Sequence, residues 1–411
     1  MAEPMSDFSQ HAITERRTAR QRALRRRRIV TVAVATLVVA GAAVGAVLAT
    51  RGGTDVPAAS GTPASPEVRP VADTMAATVQ ADTAATASAP AGATVSIAAV
   101  GDIVMGTTTY GLPPDKGRSF FDQVDQELRG DIVLGNLEGT LSTGPGSKCG
   151  AGSTNCYAFQ TPPSYAKWLP RAGFNVMNLA NNHAYDYGQS GFGQTRRALR
   201  KAGLRITGPR GMIAVMQAGA VRVALVGFAS YAWANDLTDI PAARRLVRKA
   251  AARSDVVIVT FHGGAEGADE THVDPGAEYF LGEHRGDLRR FSHAVINAGA
   301  DFVVGHGPHV LRGMEWYRGR LIAYSMGNFG GYEVFSLGGA LSVSGILKIT
   351  LRGNGAWVRG ELVPTQLVGS GVPALDPAER AHGLVREVSR DDFGRRAMRL
   401  SVTGRLRPPS T

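Results

Sequence analysis

The chain has 411 residues, of which 44% are hydrophobic and 19% charged, with 51 glycines and a formal net charge of +11. This length suits one large or two ordinary domains, plus terminal segments that need not belong to them. The charge does not indicate a nucleic-acid-binding protein. Residues 1–28 alone carry eight arginines against three carboxylates, a net +5, and the remaining positive charge forms no stripe interleaved with aromatic residues.

The segment that follows this basic tail, Ile29 to Ala49, contains no charged residue. At about 1.5 Å per residue, a helix of this length spans roughly 30 Å, the thickness of a bilayer core. Arg25 to Arg28 would stay on the cytoplasmic side, which places the C-terminal part outside. We therefore predict an uncleaved transmembrane signal-anchor and a single-pass cell-membrane protein. Two alternatives stay open: a secreted protein cleaved near Val47-Leu48-Ala49, and a buried core helix.

Residues 50–93 are dominated by Ala, Thr, Ser, Pro and Gly, a composition that predicts a disordered linker. Beyond the linker, Cys149 and Cys156 lie seven residues apart in a glycine-rich polar stretch. In an oxidising compartment they would form a disulfide. Free thiols, or a metal site, are the alternatives.

From Thr94 onward, apolar runs of strand length alternate with amphipathic stretches, which predicts an α/β fold with a parallel or mixed sheet. A domain at 94–365 and a C-terminal extension at 366–411 are expected, the latter with one helix and a loose basic tail at 405–411. The predicted strands are 95–100, 131–135, 174–179, 221–228, 256–261, 302–304 and 321–324. The predicted helices are 120–128, 164–171, 194–202, 241–252, 287–298 and 377–389. Hairpins are predicted where 212–218 meets 221–228 and where 342–351 meets 356–363.

Polar residues follow several of these strands directly. A strand that ends in glycine and then a carboxylate, amide or imidazole presents that side chain at the rim of a sheet, where α/β folds build their sites. Hard oxygen donors together with imidazoles suit a divalent metal such as Mn, Zn or Fe, bound as one or two ions in a hydrolytic centre. The candidates are Asp102, Asn136, Glu138, Asn182, His183, Asp186, His262, Glu266, His306 and His309.

Taken singly, each of these residues also has an ordinary structural interpretation. Gly101-Asp102 resembles a helix cap or turn, and a lone histidine after a strand is commonly a hydrogen-bonded structural residue. Asp186 and Glu266 could orient a ligand imidazole rather than bind an ion. The recurrence of the pattern at five strand ends favours one shared polar site.

Six motifs occur in this order along the chain: Ala98-Ala99-Val100-Gly101-Asp102, Gly135-Asn136-Leu137-Glu138, Asn178 to His183 with Asp186 and Gly188, His262 to Glu266, Gly305 to Val310, and Ala323 to Phe329. Taken together, these motifs resemble the bacterial CapA family of capsule or poly-γ-glutamate biosynthesis proteins. The resemblance implies a metallophosphoesterase-like fold, a four-layer sandwich of two mixed sheets flanked by helices. It also implies membrane attachment and a role in making, exporting or tethering an anionic cell-surface polymer.

Carried over from metallophosphoesterases, the resemblance assigns the metal ligands as Asp102, Asn136, Glu138, Asn182, His262, His306 and His309. It makes His183 the catalytic proton donor, with Asp186 beside it in the catalytic group. Three positions depart from the phosphoesterase pattern. Val104 stands where a histidine is usual, Asn136-Leu137-Glu138 replaces the bridging aspartate, and His306 and His309 are spaced by three residues instead of two.

Two classes of function stay open at this point. In the first, the domain is a metal-dependent hydrolase in which bound water is activated and His183 acts as general acid. In the second, it is a non-catalytic scaffold that holds the anionic polymer for a membrane synthase complex. Arginines beyond the tail could contact polymer carboxylates, although most arginines on amphipathic helices are simply solvated. They are Arg196, Arg197, Arg200, Arg205, Arg285, Arg289 and Arg290.

Overall fold

The computed structural model describes residues 89–150 and 156–410. The predicted cytoplasmic tail at 1–28, the transmembrane segment at 29–49 and the linker up to residue 88 lie outside the described residues. Within the described part of the chain, the helices are all too short or too polar to cross a membrane.

The described residues form five α-helices, and four of them were expected from the sequence with ends that differ by a few residues. The fifth is short and continues a 3₁₀ turn at Pro163–Lys167 inside the predicted helix 164–171. The helices are α1 (Trp168–Ala172), α2 (Gly188–Lys201), α3 (Ile240–Ala251), α4 (Leu288–Ile296) and α5 (Arg380–Phe393).

The strands outnumber the helices, and all seven strands expected from the sequence are present. In the first half of the chain they are β1 (Thr94–Val104), β2 (Ile132–Leu137), β3 (Thr140–Leu141), β4 (Gln160–Thr161), β5 (Val176–Asn178), β6 (Arg205–Thr207), β7 (Ala214–Ala218), β8 (Val221–Ala229) and β9 (Asn235–Asp236). In the second half they are β10 (Val256–His262), β11 (Glu278–Phe280), β12 (Glu283–Gly286), β13 (Phe302–His306), β14 (Met314–Tyr317), β15 (Arg320–Ala323), β16 (Asn328–Gly331), β17 (Val343–Arg352), β18 (Trp357–Val368), β19 (Val372–Leu375), β20 (Arg399–Leu400) and β21 (Arg405–Arg407).

Two large mixed sheets carry most of these strands. The ten-stranded sheet has the order β20-β21-β18-β17-β1-β2-β5-β6, with β16 also paired to β1 and β19 to β18. The seven-stranded sheet has the order β14-β15-β13-β10-β8-β7, with β9 paired to β8. Parallel pairs occupy the centre of the seven-stranded sheet and, in the ten-stranded sheet, the half that runs from β1 to the edge strand β6. Both predicted hairpins, β7–β8 and β17–β18, are antiparallel. The prediction of mixed α/β sheets is confirmed.

Three apolar clusters hold these layers together. One contains residues of both sheets, such as Ile97, Leu347, Val223 and Ile258, so the sheets pack face to face. A second lies between the other face of the ten-stranded sheet and α1 and α2. The third lies between the seven-stranded sheet and the helices α3 and α4. The helices α1 to α4 therefore bury their apolar sides against the outer faces of the two sheets, which gives four layers.

Capping residues explain where several helices begin and end. The carboxylates of Asp239 and Asp287 accept hydrogen bonds from the first turns of α3 and α4, at 2.9 Å and 3.0 Å. Glycines follow the ends of three helices, and these residues, Gly173, Gly203 and Gly299, have φ angles of 116°, 85° and 112°. Glycine adopts this left-handed backbone without the steric cost that a side chain would add.

Two predictions about local structure are wrong. Residues 120–128 form successive turns instead of a helix, since most of their hydrogen bonds reach three residues back, as from Val124 N to Phe121 O at 2.9 Å. The spacing of the apolar residues suggested a helix, but successive turns also place Phe121 and Val124 in the core. The basic tail is not loose at Arg405–Arg407, which pairs with β18 and buries Leu406.

The Cys149–Cys156 disulfide is present, with a Cα–Cα distance of 5.5 Å. The expected pairing is thus confirmed.

Glu315 is a buried carboxylate that joins several elements. It accepts hydrogen bonds from Tyr324 Oη at 2.8 Å and His293 Nε2 at 2.9 Å, and pairs with Arg396 at 3.0 Å. Burial would raise the pKa of Glu315, but His293, Tyr324 and Arg396 outweigh it and lower the pKa below its ordinary value. The pKa of Glu315 is lower in the folded chain than in the unfolded chain. The ionised carboxylate therefore stabilises the fold at pH values above the pKa of the unfolded chain, and this stabilisation is lost as pH falls through the pKa of the folded chain.

We therefore expect Glu315→Gln to lower the free energy of unfolding at neutral pH by about 1–3 kcal/mol. As pH falls, the free energy of unfolding should also decrease less in the variant than in the native chain. Urea unfolding between pH 3 and 7, about the range where carboxylates titrate, measures both effects. The exposed Glu387→Gln serves as the control, and an equal change in the two variants would contradict the expectation.

Candidate metal centre

The site lies where the two large sheets meet at the carboxyl ends of their parallel strands. Asp102 and Asn136 are paired residues of β1 and β2 in the ten-stranded sheet. His262 and His306 are paired residues of β10 and β13 in the seven-stranded sheet. The two pairs face each other, with His262 Nδ1 and His306 Nδ1 both 3.7 Å from Asp102 Oδ1. The structure therefore brings together side chains that lie far apart in the sequence.

The glycines that precede Asp102 and His306 are required by close backbone approach. A Cβ at Gly101 would lie 1.9 Å from the carbonyl oxygen of Gly327, and one at Gly305 would lie 2.3 Å from the carbonyl oxygen of Tyr324. The absence of a side chain lets Asp102 N donate to Gly327 O at 2.9 Å. This contact brings β16 beside β1 and places Asn328 level with Asp102.

Three carboxylates and three imidazoles form the centre of the site. One ligand atom from each of Asp102, Glu138 and His262 lies within 4.8 Å of the others, close enough to share an ion. His309 Nδ1 is 3.1 Å from Asp102 Oδ2. Its Nε2 is 3.7 Å from Glu138 Oε1 and 3.5 Å from Glu266 Oε2. Asp102, Glu138 and His262 are fully buried.

Several polar atoms of this group lack hydrogen-bond partners although they are buried. A buried polar atom without a partner costs free energy, so native proteins rarely retain one unless another group satisfies it. A divalent cation would satisfy this combination of carboxylate oxygens and imidazole nitrogens, and the donor set therefore fits a metal ion. The atoms are Asp102 Oδ2, both Glu138 carboxylate oxygens, His262 Nε2 and both ring nitrogens of His306. Outside this group, Oδ1 of the predicted ligand Asn182 is also buried without a hydrogen-bond partner.

Burial and neighbouring charges set the protonation states in the site. Burial lowers the pKa of His262 and of His306 to about 4, so both imidazoles are neutral at physiological pH. Burial also raises the pKa of Glu138 well above its ordinary value. For Asp102, burial would raise the pKa, but the nearby imidazoles of His262 and His309 outweigh burial and hold that pKa well below its ordinary value. Neutral imidazoles and an ionised carboxylate are the forms that bind metals.

His309 differs from the other two histidines in charge and in backbone. Burial would lower its pKa, but Glu138, Asp102 and Glu266 outweigh burial and raise that pKa well above its ordinary value. Its φ is 63°, a left-handed conformation that costs free energy for a residue with a side chain. Asn328 Oδ1 lies 2.9 Å from Nδ1, which leaves Nε2 directed toward Glu138 and Glu266. This strained position aims the ring into the acidic cluster.

Asn136 is held by a network of amides that sequence reasoning did not anticipate. Its Oδ1 accepts hydrogen bonds from Asn178 Nδ2 at 2.9 Å and Asn181 Nδ2 at 3.2 Å. Its Nδ2 donates to Asp102 Oδ1 at 2.7 Å and lies 3.1 Å from His262 Nδ1. In this arrangement Asn136 orients two candidate ligands, while its own oxygen is turned away from them. Asn178 and Asn181 belong to the motif Asn178 to His183, but only the fold shows that their amides bind Asn136.

His183 and Asp186 form a pair at the side of the site. His183 Nδ1 is 2.8 Å from Asp186 Oδ2, and the same carboxylate oxygen accepts Phe159 N at 2.7 Å. Lys148 Nζ lies 2.7 Å from Asp186 Oδ1. Burial lowers the pKa of His183 although Asp186 opposes this effect, so the ring is neutral near pH 7. A neutral ring that donates Nδ1–H to Asp186 keeps Nε2 free to accept a proton.

A buried arginine completes the charge balance of the site. Arg285, in β12, is 1% exposed and pairs with Glu266 at 2.8 Å. Its Nη1 also donates to Tyr231 Oη at 3.1 Å. Burial would raise the pKa of Glu266, but His309 and Arg285 outweigh it and lower that pKa to about 2. The expectation that such arginines are solvated is wrong for Arg285, because β12 turns its side chain inward beside the acidic cluster.

Comparison with known proteins gives one family and several relatives. The family described as bacterial capsule synthesis protein PGA_cap matches residues 96–332, which contain every candidate site residue. The PGA biosynthesis protein CapA of Bacillus subtilis (strain 168) is 30% identical over 318 residues, covering 72% of this chain and 78% of that protein. The capsule biosynthesis protein CapA of Bacillus anthracis is 28% identical over 315 residues, covering 71% of this chain and 72% of that protein.

Among solved structures, a 5'-nucleotidase precursor from Thermus thermophilus aligns with a TM-score of 0.37 and 15% identity. The alignment covers 69% of this chain and 54% of that chain.

Proposed function

The chain belongs to the bacterial capsule synthesis family, and on this premise we propose that it acts on an anionic cell-surface polymer through a metal-dependent hydrolytic site. The observation that carries the proposal is the set of buried, unpartnered carboxylate and imidazole atoms contributed by both sheets. The substrate we propose is a poly-γ-glutamate-type chain, cleaved or transferred at an amide or related ester bond.

The residues that would hold the ion are Asp102, Glu138, His262, His306 and His309, with Asn182 Oδ1 as a further donor. A bound divalent ion lowers the pKa of a coordinated water and polarises the bond to be cleaved. Asn136 keeps Asp102 and His262 oriented, as hydrogen-bonded neighbours of metal ligands do. We also propose that the fold is of the metallophosphoesterase type.

We assign proton transfer to His183. Its neutral ring accepts a proton at Nε2 from the attacking water. Asp186 accepts the hydrogen bond from Nδ1–H at 2.8 Å and stabilises the imidazolium that results. The protonated ring then returns the proton to the leaving group. Asp186 is itself fixed by Phe159 N and Lys148, so the imidazole stays in one orientation.

We further propose that the domain lies outside the cell membrane, attached through residues 29–49. The length and flanking arginines of that segment support attachment. The Cys149–Cys156 disulfide supports an oxidising compartment. In that location the polymer and a membrane synthase complex are the partners we expect, and nucleic acid is not.

The test measures the metal content of the purified full chain, together with its turnover of poly-γ-glutamate and of phosphoesters, before and after chelation. We expect bound divalent metal and metal-dependent turnover. The variant His183→Gln should keep the metal and lose turnover by about 10²- to 10⁴-fold, the contribution typical of a proton-transfer group. Metal with polymer binding but no turnover would instead establish the scaffold function. No metal uptake from added manganese, zinc or iron would overturn the metal centre.

A further inference from the structure

A second concave surface lies away from the metal centre, on the ten-stranded sheet. It is a cavity of about 690 Å³ formed by β1, β17, β18 and β21 together with Arg129. Ser96 lines it, and Asp102 lies six residues further along β1, roughly 20 Å at strand spacing. We call this surface the basic groove. Its cationic residues are Arg129, Lys348, Arg359, Arg405 and Arg407, and Glu361 is the carboxylate among the residues that line it.

The positive charges of the basic groove are largely uncompensated. Lys348 pairs with Glu127 and lies 3.9 Å from Glu361. None of the four arginines forms an ion pair with a carboxylate of the described residues. Arg359 Nε makes a weak contact with Thr350 Oγ1 at 3.4 Å, and Arg405 and Arg407 are exposed. Four guanidinium groups therefore face one cavity with their charges available to a ligand.

The fold holds these arginines in place. Residues alternate between the two faces of a strand, so burying Leu406 in the core directs Arg405 and Arg407 outward. Glu361 is paired with Arg405 in the sheet, and Thr350 with Arg359. The cations thus stand on neighbouring strands at fixed spacing, and Trp357 adds an aromatic surface beside them.

We propose that the basic groove binds the carboxylates of the anionic polymer and holds the chain on the domain while another part of it reaches the metal centre. This inference rests on the proposed function. Guanidinium groups bind carboxylates through paired, charge-assisted hydrogen bonds, and a polymer with a carboxylate on every unit can engage several arginines at once. The concave shape favours a polymer chain over a flat membrane surface as the ligand. Among the residues that line the groove, only Val358 is an exposed large hydrophobic residue, so the groove offers little apolar surface to a lipid bilayer.

The experiment compares the full chain with two triple Arg→Gln variants of equal charge, and with an Arg→Lys version of the first. The groove variant is Arg359→Gln, Arg405→Gln, Arg407→Gln. The control removes three exposed arginines near the opposite sheet, Arg244→Gln, Arg248→Gln, Arg253→Gln. The probe is poly-γ-glutamate of defined length, with binding followed by fluorescence anisotropy at several salt concentrations. Vesicles of phosphatidylglycerol and of phosphatidylcholine form the second arm.

We expect the groove variant to bind the polymer about 10-fold or more weakly than the native chain, as the loss of three exposed ionic contacts predicts, with a weaker salt dependence. The control should change by less than about 2-fold, the effect of net charge alone. The corresponding Arg→Lys triple should keep the fold and most of the binding, because it retains the charges. Unchanged melting temperatures in all variants establish that the fold is intact.

Equal losses in the groove and control variants would overturn the inference, because net charge alone would then explain binding. Undiminished polymer binding by the groove variant would overturn it and leave the proposed function standing. Failure of both the native chain and the control to bind the polymer would contradict the proposed function itself. Loss of phosphatidylglycerol binding without loss of polymer binding would assign the groove to the membrane instead.

Discussion

Asp102→Asn is expected to remove the metal from the purified chain. Asp102 is fully buried, lies 3.7 Å from both His262 and His306, and has one carboxylate oxygen without a partner. The amide keeps the size of the side chain but lacks the negative charge, and it presents an N–H group to the site. Loss of an outer hydrogen-bond partner alone lowers metal affinity about 10- to 100-fold, so loss of a ligand should exceed about 100-fold.

Elemental analysis of the native and variant chains, purified side by side, measures this result. The matched control is Asp122→Asn, an exposed carboxylate in the turns after β1. It should retain the native metal content. A variant at Asp102 that holds as much metal as the native chain, with the same affinity in a chelator competition, would exclude Asp102 as a ligand.

Glu138→Gln is expected to have opposite effects on the metal-free and metal-loaded chain. Glu138 is fully buried, and neither of its carboxylate oxygens has a hydrogen-bond partner. Burial raises the pKa of Glu138, and repulsion from Asp102 and Glu266 adds to this effect, so the pKa stays well above its ordinary value despite the attraction of His309. Without metal, replacing this charge should therefore stabilise the chain by about 1–2 kcal/mol, within the range for buried unpaired polar groups. With metal, the variant should lose affinity by about 100-fold or more.

Urea unfolding in chelator, and again with added manganese or zinc, separates the two effects. Glu315→Gln is a matched control because Glu315 is also buried but has hydrogen-bond partners, so its loss should destabilise the chain in both conditions. A Glu138 variant that is less stable than the native chain in chelator would show that this carboxylate is structural. If Glu138 is a metal ligand, the variant will be more stable than the native chain in chelator and will be stabilised less by added metal.

Much of the parallel core could be predicted from the sequence, because its signals are local. The runs at β1, β8 and β10 are mostly apolar, so the positions of these strands follow from pattern alone. The same pattern predicted that Asp102, His262 and His306 would emerge at strand ends. Their meeting depends on how the two sheets pack, which no local pattern contains.

Other features were missed because their cause is distant in the sequence. β21 has three residues in a basic segment, and its strand structure comes from pairing with β18. Arg285 resembles a surface residue until β12 folds against Glu266. The orientation of Asn136 depends on Asn178 and Asn181, whose amides reach it only after β5 pairs with β2. Tertiary contacts decided each case against the local composition.

The division of the ligands between the two sheets also sets when the centre can form. Asp102 and Glu138 belong to the first half of the chain, and His262, His306 and His309 to the second. A chain that crosses a membrane unfolded, N-terminal end first, cannot assemble the centre until residue 309 has emerged and the second sheet has packed on the first. Under the proposed export and metal centre, bound metal would therefore mark a chain whose export is complete.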